Sequence, residues 1–374
     1  MLAVLLTSSC SGRRLKTDHS LHSDGNSVVT FAERFRLNIE DGYTRLTVLN
    51  PWQGASSVNQ VWYLVRRGAE IPEGVDRQSV IYVPIRKIIC MSSTHIAMVS
   101  ALNEAASVTG VSGAGFLYDT ALVRRYDEGL IRDVGYEDNL NKEMIVTLSP
   151  DLVMAYGVGS ESSGYMGKIR ELGIKVLLNA DYLETDPLGK AEWIKLFGSL
   201  YCRETLADSV FDSITREYNL LRDFIRDNST GRPEVLLGLP FRDTWFISPG
   251  NSYISRMITD AGGSYLWKET NSSASIPMGM ENVYLRALKA DYWLNPGSAN
   301  SVNDILAIDT RLENLPCFRN GNIYNNNMRT NGKGANDYWE SGTIKPHLLL
   351  KDMATILHPE LFRDSDLFYY RKID

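Results

Sequence analysis

Lys87-Ile88-Ile89-Cys90-Met91 and Ser107-Val108-Thr109-Gly110-Val111 are short strand-like runs, and the stretch between them, Thr94 to Ala106, reads as a helix. That order decides the fold, because it then repeats. Asn139 to Leu148 reads as a helix, Asp151-Leu152-Val153-Met154-Ala155-Tyr156 as a strand, Ser162 to Leu172 as a helix, and Lys175-Val176-Leu177-Leu178-Asn179 as a strand. Strands alternating with helices at this spacing imply βαβ units and a parallel sheet. Downstream, Leu188 to Asp227 holds no strand and no proline. Its apolar or small residues Leu196, Leu200, Ala207, Val210, Ile214, Tyr218, Leu221 and Ile225 keep one helical face, with a break near Cys202 to Thr205. Beyond Gly231-Arg232-Pro233 the alternation restarts, with strands at Glu234 to Leu239, Thr244 to Ile247 and Tyr292 to Leu294 and helices near Tyr253 to Ala261 and Glu281 to Leu288. The second half mirrors the first in element order, not in residue identity. Upstream of Pro84, alternating runs at Arg45 to Leu49, Val61 to Val65 and Val80 to Val83 form a β prelude.

The 374 residues favour two domains. The expected division is a signal remnant and tether at 1–27, an N-terminal lobe at 28–186 with its β prelude at 31–84, an interlobe helical region at 187–230, and a C-terminal lobe at 231–374. Hydrophobic content of 44% with 22% charged residues is ordinary globular composition. A net charge of -6 without a basic stripe argues against nucleic acid. At the amino terminus, apolar Met1 to Leu6 and small polar Thr7 to Ser9 lead directly to Cys10. This resembles a shortened signal ending in a bacterial lipoprotein cleavage box, which makes Cys10 the expected lipidation site and Ser11 to Ser27 a polar tether. Cys90, Cys202 and Cys317 are too widely spaced for a metal pattern and read as buried thiols.

Motifs for covalent chemistry are weak. Gly157-x-Gly159 follows a strand and precedes a helix, but the next glycine, Gly164, is misplaced for a dinucleotide fingerprint. The five histidines, His19, His22, His95, His347 and His358, do not converge with carboxylates, and neither a G-x-S-x-G elbow nor a Walker A motif occurs. No catalytic residue and no protein-held metal or cofactor is expected. The unusual segment is Asn325 to Gly342, too polar for a core yet ending in Tyr338 and Trp339. Amide, guanidinium and aromatic groups on one loop suit a polar ligand with flat or apolar faces, and the competing reading is a solvated loop on the lobe edge. Trp52 and Trp245 offer further aromatics near loops, where packing is an equal alternative.

Several runs together resemble the cobalamin and iron-siderophore class of periplasmic binding proteins, in particular iron-complex forms from Bacteroides-like bacteria. They are Ile88 to His95, Asn141 to Val153 with its Pro150-Asp151-Leu152-Val153, Pro187 to Lys195, and Asn336-Asp337-Tyr338-Trp339-Glu340-Ser341-Gly342. The resemblance implies an α/β fold of two doubly wound, Rossmann-like lobes joined by a long interlobe helix, with ligand in the cleft and little hinge motion. The strand-rich N-terminal elaboration is less typical of the class. The ligand would be an iron chelate (siderophore or haem) or a corrinoid, its metal already satisfied, and it would meet Trp52, Tyr118, Tyr156, Trp245, Arg329, Tyr338 and Trp339. Glu143 and Glu281 would dock on arginines of an ABC permease, whose ATPase completes the importer, and the protein would be a periplasmic, lipid-anchored monomer. An α/β enzyme using a nucleotide or metal in the same cleft, or a surface scavenger without a permease, are the alternatives.

Overall fold

A computed structural model describes residues 27–136, 139–157, 162–363 and 365–374, with backbone alone for 162–165. Cys10, His19, His22 and Gly159 lie outside the described residues.

The chain opens with a four-stranded sheet, β1 (Phe35–Glu40), β2 (Tyr43–Leu49), β3 (Asn59–Arg66) and β4 (Val80–Val83), paired in sequence order. The first three strands are antiparallel and β4 runs parallel to β3. Lobe 1 follows: β5 (Ile88–Cys90), α1 (Ser93–Ala101), β6 (Val108–Val111), α2 (Thr120–Asp127), β7 (Arg132–Asp133), α3 (Lys142–Leu148), β8 (Leu152–Ala155), α4 (Ser162–Glu171) and β9 (Val176–Leu178). Its strands are all parallel in the order β7-β6-β5-β8-β9. The winding direction reverses between β5 and β8. That reversal makes the lobe doubly wound.

Three helices lead out of lobe 1, α5 (Pro187–Glu192), α6 (Ile194–Tyr201) and α7 (Glu204–Asn228). The break expected near Cys202 is real, since Cys202 ends α6 in the left-handed conformation (φ 54°). At 1.5 Å per residue, the 25 residues of α7 run about 37 Å. Lobe 2 comprises β10 (Glu234–Leu237), β11 (Thr244–Ile247), α8 (Tyr253–Asp260), β12 (Ser264–Tyr265), β13 (Ile276–Gly279), α9 (Met280–Ala287), β14 (Tyr292–Leu294), α10 (Val302–Leu306), α11 (Pro316–Arg319), β15 (Ile323–Asn325), α12 (Pro346–Leu357) and β16 (Arg371–Lys372). Its main sheet runs β12-β10-β14-β15-β16, parallel except for β16, with the reversal between β10 and β14. Thr244 to Ile247 is not part of this sheet. As β11 it pairs antiparallel with β13 in a separate two-stranded ribbon.

Carboxylates fasten the elaboration to the lobes. Glu192 of α5, fully buried, accepts hydrogen bonds from the backbone N–H groups of Thr30, Phe31 and Ala32 and from Lys195 Nζ. Glu184 accepts from the N–H groups of Glu33 and Arg34 and from Trp193 Nε1. Phe35 then packs on Trp193 with ring centroids 4.5 Å apart. On the other side, Gln60 of β3 reaches the outer strand of lobe 1: its Nε2 donates to Val176 O (3.0 Å) and its Oε1 accepts from Leu178 N (2.9 Å). The amide thus completes pairing for β9, an edge strand in its own sheet. One apolar cluster runs from Phe35 and Leu46 through Ile88, Trp193 and Phe211 to Val235, Trp293 and Leu350. A second, smaller cluster lies under α3 and α4.

Candidate ligand cleft

In open α/β sheets, ligands bind beyond the carboxyl ends of the strands, at the point where winding reverses. In lobe 1 that point is flanked by Met91-Ser92 after β5 and Tyr156-Gly157 after β8, and in lobe 2 by Gly238 after β10 and Asn295 after β14. Helix α1 starts there, capped by Ser92, whose hydroxyl accepts from Thr94 N. Beneath its first turn lies Asp181, 2% exposed, with Thr94 Oγ1 3.5 Å from its Oδ1. Burial pushes the Asp181 carboxyl above its ordinary range.

Three segments carry aromatic groups to this place. Tyr156, half-buried, follows β8 directly, with its ring edge-on to Tyr182 at 6.5 Å. Trp52, in the β2–β3 connection, forms an isolated parallel bridge with Gly157. Trp339, 59% exposed, comes from lobe 2, and its carbonyl oxygen lies 3.5 Å from Ser93 Oγ at the start of α1. The exposed Trp339 ring also stands edge-on to Tyr338 at 4.7 Å.

A buried latch joins the lobes beside these groups. Glu340 of lobe 2, 3% exposed, accepts from the N–H groups of Tyr118 (2.9 Å) and Asp119 (2.8 Å) at the start of α2. Asn331 Nδ2 donates to Leu117 O (3.1 Å). Burial, reinforced by Asp119 and Asp337 nearby, pushes the Glu340 carboxyl up to about 7 although both N–H bonds oppose that rise. Behind the latch, α5 packs on α7, α8 and α12, which ties lobe 1 to lobe 2 along a broad front.

Several expected contact residues have other duties. Trp245 is a correction: it is fully enclosed, donates from Nε1 to Leu237 O (2.9 Å) and packs on Trp293 at 5.8 Å, because the β11 ribbon folds its indole into the lobe 2 core. Tyr338 is a second, since it is buried among Tyr370, Asn295 and Asn326 and makes a T-shaped contact with Trp339. Arg329 is braced rather than offered to the cleft. Its Nε donates to Asp337 (2.6 Å), and its guanidinium lies over Phe368 (4.2 Å) and, across the lobes, Tyr118 (5.4 Å). Tyr118 is half-buried and already holds that cation. Of the thiols, Cys90 and Cys317 are buried, with burial pushing Cys317 up to about 12, whereas Cys202 is only half-buried.

Glu143 sits exposed in the first turn of α3 and makes no ion pair among the described residues. Glu281, also exposed, is paired with Arg311 Nη1 at 2.7 Å, and the same guanidinium holds Asp309. The two glutamates therefore differ in their charge pairing. Sequence reasoning overlooked Gln53, Tyr182, Asn331 and the latch role of Glu340; the available signal for Glu340 was a carboxylate closing an aromatic run in an otherwise amide-rich loop.

Two doubly wound lobes joined by the α5 to α7 block fit the architecture of a solute-binding protein. The chain belongs to the periplasmic binding protein family, whose model matches residues 88–327. An uncharacterized lipoprotein of Methanocaldococcus jannaschii is 28% identical over 348 residues, covering 87% of this chain and 81% of that protein. A second uncharacterized lipoprotein of that organism is 28% identical over 364 residues, covering 93% and 88%. Among solved structures, the periplasmic vitamin B12 binding protein of Vibrio cholerae superposes with a TM-score of 0.54 at 14% identity, covering 75% of this chain and 99% of that one. A periplasmic heme binding protein of Pseudomonas aeruginosa gives 0.57 at 14%, covering 78% and 98%. At such identities the likeness is one of fold. The family match begins at β5, so the four-stranded sheet lies outside it. Among the described residues, no helix is long and apolar enough to cross a membrane.

Proposed function

We propose that this protein captures a bulky, already chelated metal complex, a ferric siderophore, haem or a corrinoid, and delivers it to the permease of an ABC importer without covalent chemistry. The observation that carries this reading is that the segments bearing Trp52, Tyr156 and Trp339 all reach the strand ends of lobe 1, Trp52 through its bridge to Gly157, Tyr156 directly after β8 and Trp339 through its carbonyl near Ser93. Aromatic faces with polar groups beside them suit a large ligand that is flat or apolar on some faces and polar at its rim. The binding of vitamin B12 and heme by proteins of the same fold supports the ligand class. Two relatives described as lipoproteins support an extracytoplasmic, lipid-anchored location, with Cys10 as the anchor. Exposed Glu143 would meet the permease on one lobe and Glu281 on the other, where Arg311 must first be displaced or shared.

The test is titration of the purified chain with haemin, a ferric trihydroxamate and cyanocobalamin, followed by tryptophan fluorescence. One of the three is expected to bind with Kd of about 1 μM or tighter, and Trp339→Ala to weaken it by about tenfold or more, as truncation of a central aromatic does. Absence of binding to all three, or binding indifferent to Trp339, would overturn the reading.

A further inference from the structure

The β2–β3 connection, Asn50 to Val58, belongs to the four-stranded sheet yet ends up at the cleft. Its base is closed by Asn50 N donating to Val58 O (2.7 Å) and Val58 N donating to Asn50 Oδ1 (3.0 Å). Its tip turns at Gly54, where φ is +81° and a side chain would be strained. The tip is anchored to lobe 1 by the Trp52 to Gly157 bridge and by Tyr182, whose hydroxyl accepts from Gln53 N (3.1 Å) and donates to Gly157 O. It touches lobe 2 through one hydrogen bond among the described residues: Gln53 Nε2 donates to Ser273 O at 2.9 Å, in an exposed position. The acceptor is held in place, because Ser272 Oγ donates to Ala274 O and accepts from Ala274 N, and Ser272 N donates to Asn251.

The lobes are thus joined very differently at their two rims. At α2 three hydrogen bonds cross, two of them on a buried carboxylate. At Gln53 there is one, in water. We infer that the β2–β3 loop is the movable wall of the cleft and that Gln53 is its gate residue, released from Ser273 when ligand enters or leaves. The loop lies outside the residues that the family model matches. A neutral hydrogen bond in solvent contributes little net stability, so parting Gln53 from Ser273 costs far less than parting the latch. The inference rests on the cleft being the ligand site.

The experiment compares wild type with Gln53→Ala and Gln53→Glu, which keeps the size but removes the donor. Stopped-flow binding of whichever of haemin, ferric trihydroxamate or cyanocobalamin the wild type takes up is expected to show association and dissociation rates both raised by about two- to tenfold in each variant, with Kd within about twofold. Unchanged rates would overturn the inference, as would a Kd shift carried by dissociation alone, which would make Gln53 a ligand contact. Hydrogen exchange of the ligand-free protein separates this from the functional reading. Amides of 50–58 are expected to exchange faster in both variants, and equal exchange would sink the gate even if none of the three compounds binds.

Discussion

Glu184 and Glu340 show how much a single buried carboxylate decides here. Each is about 3% exposed, each accepts backbone N–H groups from a distant segment, and burial raises each to about 7 from 4.5. Because the folded carboxyl holds its proton to higher pH than the unfolded one, these groups favour folding below pH 4.5, and that contribution is lost as pH rises toward 7. Between pH 5.5 and 8 the loss is roughly 2 kcal/mol per group. Urea unfolding at these two pH values is therefore expected to show a shallower pH dependence in Glu340→Gln and Glu184→Gln than in wild type; an identical profile would contradict the assignment. The residue scale is also where the sequence was least legible. Trp245 and Trp339 are chemically the same and both sit near turns, but one indole finds an enclosed carbonyl acceptor and the other stays in solvent. That difference depends on the β11 ribbon, which only the tertiary structure reveals.

At the level of elements, β5, β6, β8, β9, β10 and β14 all lie where short apolar runs predicted strands, because parallel strands covered on both faces cannot hide their composition. The misses have physical causes. β7, β12 and β16 are two residues long and carry no period, and α10 and α11 are single turns built on capping and proline. Thr244 to Ile247 has a strand's composition, but composition does not choose between a parallel sheet and an antiparallel ribbon. The α5 to α7 block was legible from its helical face, whereas its hold on the amino-terminal segment was not. Glu192 alone satisfies three backbone N–H groups, and it pairs with the Lys195 ammonium, which also donates to Val28 O. Glu192→Ala should lower stability by about 3–5 kcal/mol, since it leaves three backbone donors without their acceptor, and Glu192→Gln by clearly less. Chemical denaturation gives the two numbers. Equal, small losses would show that the segment is held by Phe35 packing instead.

As a whole, the molecule has two lobes that share one main core. The main apolar cluster is continuous from the first sheet, through Trp193 and α7, to α12 in lobe 2, and the Glu340 latch adds a polar tie. Calorimetry is accordingly expected to show one transition, with van't Hoff and calorimetric enthalpies equal; two resolved peaks would mean that the lobes unfold independently. The amino-terminal sheet has a further consequence through Gln60. By offering one carboxamide to Val176 O and Leu178 N, that side chain impersonates a neighbouring strand along β9. Along β9 the outward Val176 O and Leu178 N are thereby occupied, which disfavours another copy of the chain extending the sheet at that margin.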